Sequence, residues 1–426
     1  MERSKPVGIC IDDGKRQVVN VITWEQRKLG DVVEDYVEKT TVEDQYPVLT
    51  SSQQKGIVLQ DDYFSGERVS QNGNIGYFVI PRGYFTFRSR SDNDVFVFNR
   101  NDAVDMGIIS YFYPVFKPKG VNSDFLLRRL NYGLEDQIKI NSEGTGQHVL
   151  SLKKFKNIVG VFPSYEEQKK IGSYFSQIDH LITLHQRKCD EMKKMKKFML
   201  QKMFPKNGQK NPEIRFDGFT DDWEQRKFKD VFDGLQNNTF SRADLNYESG
   251  AVKNVHYGDV LIKFGDFIDV SKDELPFITD ESQTTKYNSS FLQDGDIIIA
   301  DTAEDSTVGK CSEIVGFQGV KLLSGLHTIP CRPKEKYAPK FMGYYINSDA
   351  YHKQLIPLMQ GIKVTSISKS ALQETDMILP KSFEEQAQIG EYFSNIDHLI
   401  TLHQRKCNWL KKLKEYMLKN IFQRYK

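Results

Sequence analysis

Two His–Cys pairs are the residues of this chain best suited to metal binding. His185 and Cys189 are one helical turn apart, and His403 and Cys407 repeat that spacing. Side chains at i and i+4 lie on one face of a helix, so each pair could give a zinc ion two ligands. The same positions fall on an apolar helical face, where an imidazole and a small thiol pack without a ligand. We favour packing and predict no metal site.

Sequence motifs for catalysis are missing. The chain has no G-x-x-x-x-G-K-[ST] phosphate loop, G-x-G-x-x-G turn, G-x-S-x-G elbow or H-E-x-x-H helix. It also lacks the N-P-P-[FY] and D-P-P-[FY] tetrapeptides of amino-methyltransferases, and the nuclease-like E-x-K at Glu191 lies inside a helical segment. We predict no catalytic residue and no cofactor in this chain.

Several loops carry side chains suited to nucleic-acid contacts. The stretch "TSSQQKG" groups hydroxyl, amide and ammonium donors, which can reach base edges and phosphates, and "YFTFRSRSDN" interleaves aromatic rings with arginines. In the second half, "VHYGDVLIKFGD" and "DTAEDSTVGK" supply similar groups. A solvated turn or an exposed strand has the same composition, so residue type alone leaves both interpretations open. The candidate DNA-binding residues are Thr50, Ser51, Ser52, Gln53, Gln54, Lys55, Arg88, Arg90, His256, Tyr257, Lys263, Thr302, Ser306, Thr307 and Lys310.

Two long helical segments must position these loops. Residues 164–204 and 382–422 agree at most positions without a gap, and the dodecamer "IDHLITLHQRKC" is identical in both. Each segment begins with a serine and two glutamates, a favourable helix start, and its apolar residues alternate steps of four and three. We predict that the two helices pair with each other as a coiled coil.

Further repeats divide the chain into two similar halves. "WEQRK" occurs at Trp24 and again at Trp223, and "GQHVLSLKKF" from Gly146 matches "GIKVTSISKS" from Gly361. Between these repeats lie short β-prone runs that we cannot align, which favours two copies of one task applied to different targets. The predicted layout is a first domain at 1–163 with an atypical N-terminal segment at 1–22, a central helix at 164–204, a linker at 205–221, a second domain at 222–381 and a C-terminal helix at 382–426.

Composition bounds the class of protein. A chain of 426 residues is long enough for two domains, and 27% charged residues with a mean hydropathy of −0.53 are typical of a globular protein in water. The net charge of +2 neither requires nor excludes a polyanionic partner. Five scattered cysteines argue against a disulfide framework, and no apolar run is long enough to cross a bilayer. We expect a cytoplasmic protein.

Over nearly its whole length, the chain resembles the specificity subunits of type I restriction-modification systems. The motifs that carry this resemblance are "WEQRKLGDV", "YPVLTSSQQKGIVLQDDYF", "GDIIIADTAEDSTVGK", "NPEIRFDGFTDDWEQRK" and the paired "EEQKKIGSYFSQID" and "EEQAQIGEYFSNID". The resemblance implies an α+β fold. Two mixed α/β target-recognition domains lie in tandem, separated by two long antiparallel coiled-coil helices with pseudo-two-fold symmetry. The first half departs from the family because it lacks the I-R-F-x-G-F stretch before "WEQRK".

The resemblance also implies a function in defence against foreign DNA. The subunit would be non-catalytic and would read a bipartite DNA site, one half with each domain. It would dock two methyltransferase subunits, which use S-adenosylmethionine, and two restriction subunits, which use ATP and Mg. The repeated dodecamer suggests that the partner-docking residues are Thr183, Gln186, Arg187, Lys188, Thr401, Gln404, Arg405 and Lys406. The alternative is a coiled-coil tandem-repeat scaffold without sequence-specific DNA binding.

Overall fold

The computed structural model divides the chain into two compact units. It describes residues 24–64, 73–93, 95–144, 146–206 and 208–423, and the backbone alone of residues 7–12 and 15–20. Unit 1 consists of Met1–His185 with Arg405–Lys426, and unit 2 consists of Gln186–Gln404. The side chains of the predicted N-terminal segment, residues 1–22, lie outside the described residues.

In the first half of the chain, strands and short helices precede a long helix. The strands are β1 (Val7–Asp12), β2 (Lys15–Asn20), β3 (Glu25–Lys28), β4 (Val33–Tyr36), β5 (Leu49–Ser52), β6 (Gly56–Leu59), β7 (Phe78–Pro81), β8 (Phe85–Phe87), β9 (Arg90–Ser91), β10 (Phe98–Arg100), β11 (Met106–Ile109), β12 (Val115–Pro118), β13 (His148–Val149) and β14 (Val159–Phe162). The helices are α1 (Leu29–Val32), α2 (Gln60–Tyr63), α3 (Ser123–Asn131), α4 (Glu135–Asn141), α5 (Leu152–Asn157) and α6 (Tyr165–Lys202).

The second half repeats this plan. Its strands are β15 (Glu224–Lys227), β16 (Phe232–Gly234), β17 (Leu245–Asn246), β18 (Val252–Val255), β19 (Phe267–Asp269), β20 (Phe277–Ile278), β21 (Ile297–Ala300), β22 (Thr302–Ala303), β23 (Cys311–Val315), β24 (Lys321–Ser324), β25 (Thr328–Pro333), β26 (Thr365–Ser366) and β27 (Asp376–Leu379). The helices are α7 (Phe228–Val231), α8 (Tyr257–Ile262), α9 (Phe341–Asn347), α10 (Asp349–His352), α11 (Lys369–Gln373) and α12 (Phe383–Gln423).

The central sheets of the two units have the same topology, although their sequences do not align. In unit 1 the strand order is β10-β8-β12-β4, and in unit 2 it is β16-β25-β21-β23-β19. Read in reverse, the unit 1 order matches β16-β25-β21-β23, and β19 is an addition. An asparagine at the end of a helix bonds both backbone groups of one strand residue in each sheet: Asn131 bonds Phe98, and Asn347 bonds Cys311. The predicted duplication therefore extends through the segments that differ in sequence.

Within each unit the two long helices pack antiparallel. In unit 1, Tyr174 contacts Met417, and Cys407 lies 3.9 Å from the carbonyl oxygen of Ile182. In unit 2, Cys189 lies 4.0 Å from the carbonyl oxygen of Ile400, which is the same contact with the helices exchanged. The predicted antiparallel pairing and the α+β fold class are confirmed.

Charged residues on the helical seam are paired. In unit 2, the ammonium group of Lys196 lies 2.7 Å from Asp397 and 2.8 Å from Asp266. In unit 1, Lys414 occupies the corresponding position and lies 2.5 Å from Asp179. Each pair joins one helix to the other at a position where a coiled coil usually has an apolar residue, so the pairs disfavour a shifted register.

The repeated motifs form the junction between each head and its helices. Strand β3 pairs antiparallel with β14, and β15 pairs with β27, so "WEQRK" lies against the strand that precedes each long helix. Gln168 and Gln386 repeat one pattern. Each side chain accepts a backbone N–H from its head at 3.0 Å and donates to a proline carbonyl at 2.9 Å. These contacts explain why the two halves share these residues.

The structure shifts one of the sequence matches by two residues. Gly144, rather than Gly146, corresponds to Gly361, because both have positive φ angles, of 125° and 116°, and both lie beside an isolated β-bridge. Ser151 and Ser368 then correspond as the residues that cap α5 and α11. The predicted match of Gly146 with Gly361 is therefore wrong, because the same spacing separates Gly144 from Ser151 and Gly361 from Ser368.

Each unit has its own buried core. In unit 1, Phe175 and Phe422 from the long helices pack with the head residues Phe125 and Phe162. In unit 2, Phe204 and Phe393 occupy the corresponding positions, and their ring centroids are 6.0 Å apart. None of the helices in the described part of the chain combines the length and apolar character needed to cross a membrane.

Candidate nucleic-acid interface

An open cleft in unit 1 brings together most of the candidate residues of the first half. Its volume is about 550 Å³. The lining residues are Thr50, Ser51, Ser52, Gln53, Gln54, Tyr63, Phe64, Arg88, Arg90, Ser91, Asp92, Asn93, Val95, Val97, Asn99 and Tyr113. Two loops that the sequence separates by more than thirty residues, a hairpin and the segment after β8, therefore form one polar surface.

The hairpin of β5 and β6 presents two adjacent glutamines. Ser52 pairs with Gly56 across the hairpin, so Gln53, Gln54 and Lys55 form its tip, and Gly56 has a φ of 71° that favours glycine. The buried hydroxyl of Ser52 accepts the backbone N–H groups of Gln54 and Lys55, both at 3.2 Å. The backbone of the tip is therefore bonded internally while its side chains are exposed.

Asn99, on β10, fixes the hairpin to the central sheet. Its amide nitrogen donates to the hydroxyl oxygen of Ser51 at 2.8 Å and to the carbonyl oxygen of Ser52 at 3.0 Å. These bonds hold the last residues of β5 just before the tip. The sequence contains no signal for this role, because Asn99 lies in a strand far from the loop it supports.

Arg88 and Arg90 contribute the positive charge of the cleft. Both are exposed, and neither forms an ion pair among the described residues. The guanidinium of Arg90 lies 5.0 Å from the centroid of the Phe112 ring, and the ammonium of Lys55 lies 5.5 Å from that of Tyr63. Aromatic contacts of this kind orient a cation and leave its hydrogen-bond donors available for phosphates or base edges.

Candidate segments from the two halves occupy the same place in their units. Strand β9, which contains Arg90, pairs with β13, and β22, which contains Thr302, pairs with β26. The residues that follow the paired strands confirm the match, because the N–H of Leu150 bonds Ser89 and the N–H of Ile367 bonds Asp301. Arg90 and Thr302 are therefore equivalent positions with different chemistry.

In unit 2, His256 and Tyr257 lie close to Thr302. His256 caps α8 by accepting the N–H of Gly258 at 3.2 Å, and burial together with nearby Arg242 lowers the pKa of its imidazole. The ring of Tyr257 lies 5.3 Å from that of His327, whose imidazole is 3.5 Å from Asp301, the neighbour of Thr302.

Two residues of this cluster, Arg242 and His327, were not among the DNA-binding residues predicted from the sequence. Arg242 forms a bidentate ion pair with Asp259, with both contacts at 2.9 Å. His327 is half exposed and has a positive φ of 56°. Both lie in segments with no unusual composition, and only the fold brings them to the start of α8.

The two candidate lysines of unit 2 lie elsewhere. Lys263 donates to the carbonyl oxygen of Glu274 at 2.6 Å, and Lys310 donates to those of Leu261 and Phe264. The pKa of Lys310 is lowered by burial. Both ammonium groups are thus bonded near the end of α8, away from His256 at its start.

Ser306 and Thr307 occupy an exposed turn after β22. The Thr307 hydroxyl donates to the carboxylate of Asp305 at 2.5 Å, and Thr365 donates its hydroxyl to the carbonyl oxygens of Ala303 and Asp305. This turn extends the surface that begins at Thr302, so these hydroxyls belong with Thr302 rather than with the lysines.

The proposed docking residues are all exposed. In unit 1 they are Thr183, Arg405 and Lys406, and in unit 2 they are Gln186, Arg187, Lys188, Thr401 and Gln404. Each unit also exposes two leucines of the repeated dodecamer, Leu181 and Leu184 in unit 1 and Leu399 and Leu402 in unit 2. These leucines were not predicted, and they add an apolar component that polar docking residues alone would lack.

Comparisons with known proteins identify a family. A model described as the type I restriction modification DNA specificity domain matches the chain twice, at residues 22–194 and 220–412. The type I restriction enzyme MjaVIII specificity subunit of Methanocaldococcus jannaschii is 26% identical over 294 residues. That alignment covers 67% of this chain and 66% of the relative, so the chain spans slightly less than two thirds of the relative's length.

The fold also resembles a solved structure. The crystal structure of a type I restriction-modification system S subunit from M. genitalium matches with a TM-score of 0.56 and 12% sequence identity. The match covers 95% of this chain and 98% of the other. At this identity the likeness concerns the fold alone.

Proposed function

Because this chain belongs to the type I restriction-modification DNA specificity family and contains two copies of its domain, we propose that it reads a bipartite DNA site. The surface around the hairpin tip, Arg88 and Arg90 in unit 1 reads one half-site. The surface around Thr302, His256 and Tyr257 in unit 2 reads the other. The equivalence of Arg90 and Thr302 is the observation that carries this proposal, since one scaffold places different donors at the same position.

The chemistry of the two surfaces suits base recognition. Glutamine amides can bond adenine and arginine can bond guanine, while hydroxyl groups bond several bases. The hairpin tip is supported by Ser52 and Asn99, so its glutamines are held without using their own side chains. Two recognition surfaces on one molecule bind bivalently, so short contacts can combine into strong binding.

We further propose that the chain performs no catalysis itself and acts within a complex. Two methyltransferase subunits that use S-adenosylmethionine dock on it, and through them two restriction subunits that use ATP and Mg. The exposed dodecamer residues and the adjacent leucines of each unit are the proposed docking positions. Identical residues in both copies suit two identical partners.

The experiment is to express the chain with a methyltransferase subunit of the family and to map methylated adenines across a genome by long-read sequencing. We expect one bipartite motif. In the variant with Gln53→Ala and Gln54→Ala we expect one half of the motif to change or relax, and the other half to stay the same. Gln137→Ala, an exposed glutamine on α4 outside the cleft, is the matched control and leaves the motif unchanged.

Two results would contradict the proposal. A stable complex without any sequence-defined methylation would favour the scaffold alternative. A uniform loss of methylation at both half-sites in the hairpin variant would show that the hairpin contributes to folding or to phosphate contacts instead of base recognition.

A further inference from the structure

The junction of unit 2 contains an arginine that has no described counterpart in unit 1. The guanidinium of Arg215 forms two parallel bonds with the carboxylate of Glu385, of 2.7 and 2.9 Å. The indole N–H of Trp223 donates to the same carboxylate at 3.2 Å. Only 2% of the Glu385 side chain is exposed, so its charge is compensated almost entirely by these partners.

The equivalent carboxylate in unit 1, that of Glu167, has a described hydrogen-bond partner on one of its two oxygens. Trp24 donates its indole N–H to Oε1 of Glu167 at 3.2 Å, which repeats the Trp223 contact. The other oxygen, Oε2, is buried and has no hydrogen-bond partner among the residues that the structure describes. A buried carboxylate oxygen without a partner is costly, so this position favours an incoming donor.

A second difference lies beside the first. In unit 2 the ring of Phe216 packs edge-on against Tyr392, with centroids 6.0 Å apart. The residue equivalent to Tyr392 is Tyr174, and 41% of its surface is exposed. Tyr174 lines an open depression of about 450 Å³ on α6, together with Glu166, Lys169, Lys170, Ser173 and Gln177.

We propose that Glu167, Trp24 and Tyr174 form a peptide-docking site whose ligand is an extended segment of the Ile-Arg-Phe pattern, supplied by a separate polypeptide. Residues 214–216 show in unit 2 how such a segment binds. The arginine bonds the carboxylate from two sides, and the following phenylalanine covers the tyrosine. Two groups of unit 1, the carboxylate of Glu167 and the partly exposed ring of Tyr174, match these two side chains in kind and in order along α6.

The site of unit 2 is closed to such a ligand. Its own segment is attached to the same chain, and this attachment gives it a high effective concentration at Glu385. The inference does not depend on DNA recognition, because it follows from the difference between two junctions that otherwise share their contacts.

The test measures binding of a fluorescent peptide that copies residues 211–222 to the full chain. We expect saturable binding by fluorescence anisotropy, with at least a tenfold loss of affinity when the peptide arginine is replaced by alanine. Glu167→Gln in the protein has the same effect. Glu415→Gln, an exposed glutamate on α12 in the same unit, is the matched control and leaves binding unchanged.

A second variant distinguishes a loss of peptide binding from a loss of folding. Tyr174→Ala removes an exposed ring, and we expect it to weaken peptide binding at least threefold while the thermal unfolding of the protein stays close to that of the parent. The absence of binding to the parent chain would overturn the proposal, as would occupation of the site by the chain's own residues. Binding that is equally strong with Glu167→Gln would also overturn it.

Discussion

At the scale of single residues, the cleft of unit 1 separates side chains that are exposed to a ligand from side chains that hold the hairpin. Gln53, Gln54 and Arg88 have exposed side chains without described partners, and Ser52 and Asn99 use theirs to bond the hairpin. Donor-rich loops are visible in a sequence, because their composition differs from that of strands. A supporting residue such as Asn99 is not visible, because its partner is defined only by the fold.

Replacing Asn99 should change recognition without removing a contact residue. Asn99→Ala removes two hydrogen bonds to the end of β5. We expect this loss to destabilise the ordered conformation of the hairpin by about 1–3 kcal/mol. Methylation mapping should show relaxed specificity at one half-site only, with the other half-site unchanged. Asn141→Ala, at a partly exposed position at the end of α4 and outside the cleft, is the control. Unchanged specificity with Asn99→Ala would show that the hairpin is held by other contacts.

At the scale of elements, the sequence predicted the long helices well and the heads poorly. Heptad spacing, serine caps and an identical dodecamer are local patterns, and the paired helices follow directly from them. The strand order of the heads depends on pairing between distant segments, and a chance likeness of short sequences shifts an alignment, as it did at Gly146. A repeated topology with different residues, such as Arg90 and Thr302, is therefore visible only in the structure.

One prediction concerns the glycines where each head meets its helix. A Cβ atom on Gly390 would lie 2.7 Å from the carbonyl oxygen of Pro339, and one on Gly172 would lie 2.8 Å from the backbone nitrogen of Phe125. Alanine normally stabilises a helix by about 1 kcal/mol relative to glycine. Here we expect Gly172→Ala and Gly390→Ala to destabilise by about 1–3 kcal/mol, because backbone atoms must move. Thermal unfolding of the parent and of each variant measures this change in stability.

The control for these glycine variants is Ser173→Ala, an exposed position on the same helix as Gly172. It should leave the unfolding temperature unchanged or raise it slightly, in line with helix propensity. A rise in unfolding temperature for Gly390→Ala would show that the head does not approach the helix closely at this position.

A second prediction concerns the buried carboxyl group of Glu313 on β23. Burial raises its pKa to about 7, although the N–H groups of Lys340 and Gly343 donate to it and act in the opposite direction. The unfolded chain ionises this group near its ordinary pKa, so the folded state binds the proton more tightly. The stability of the fold should therefore fall as pH rises from about 4.5 to 7, by up to ~3 kcal/mol.

Comparison with Glu313→Gln isolates this effect. The variant lacks the titrating group, so the difference in unfolding free energy between parent and variant should shrink or change sign as pH rises through this window. Other groups titrate equally in both proteins and cancel. A difference that is independent of pH between 4.5 and 7.5 would show that Glu313 stays ionised in the fold.

At the scale of the whole molecule, each unit has its own core, its own junction and its own candidate surface. The candidate surfaces of the two units share no residues, so changes in one should not alter the internal contacts of the other. Mutations at distant sites without shared partners usually have additive free energies. A subunit that reads two half-sites should therefore lose affinity in two independent steps.

The test of independence combines changes in both units. We compare three proteins: the hairpin variant that carries both Gln53→Ala and Gln54→Ala, the single variant Thr302→Ala, and the variant that carries all three substitutions. For each we measure, at fixed salt, the binding of its methyltransferase complex to a duplex that contains the mapped motif. We expect each change to cost about 1–3 kcal/mol of binding free energy and the combination to cost their sum, because under the proposed function each removes base contacts in a different half-site. If the combined variant loses no more affinity than the hairpin variant alone, Thr302 makes no base contact that contributes to binding. In that case the equivalence of β9 and β22 would reflect shared architecture without shared function.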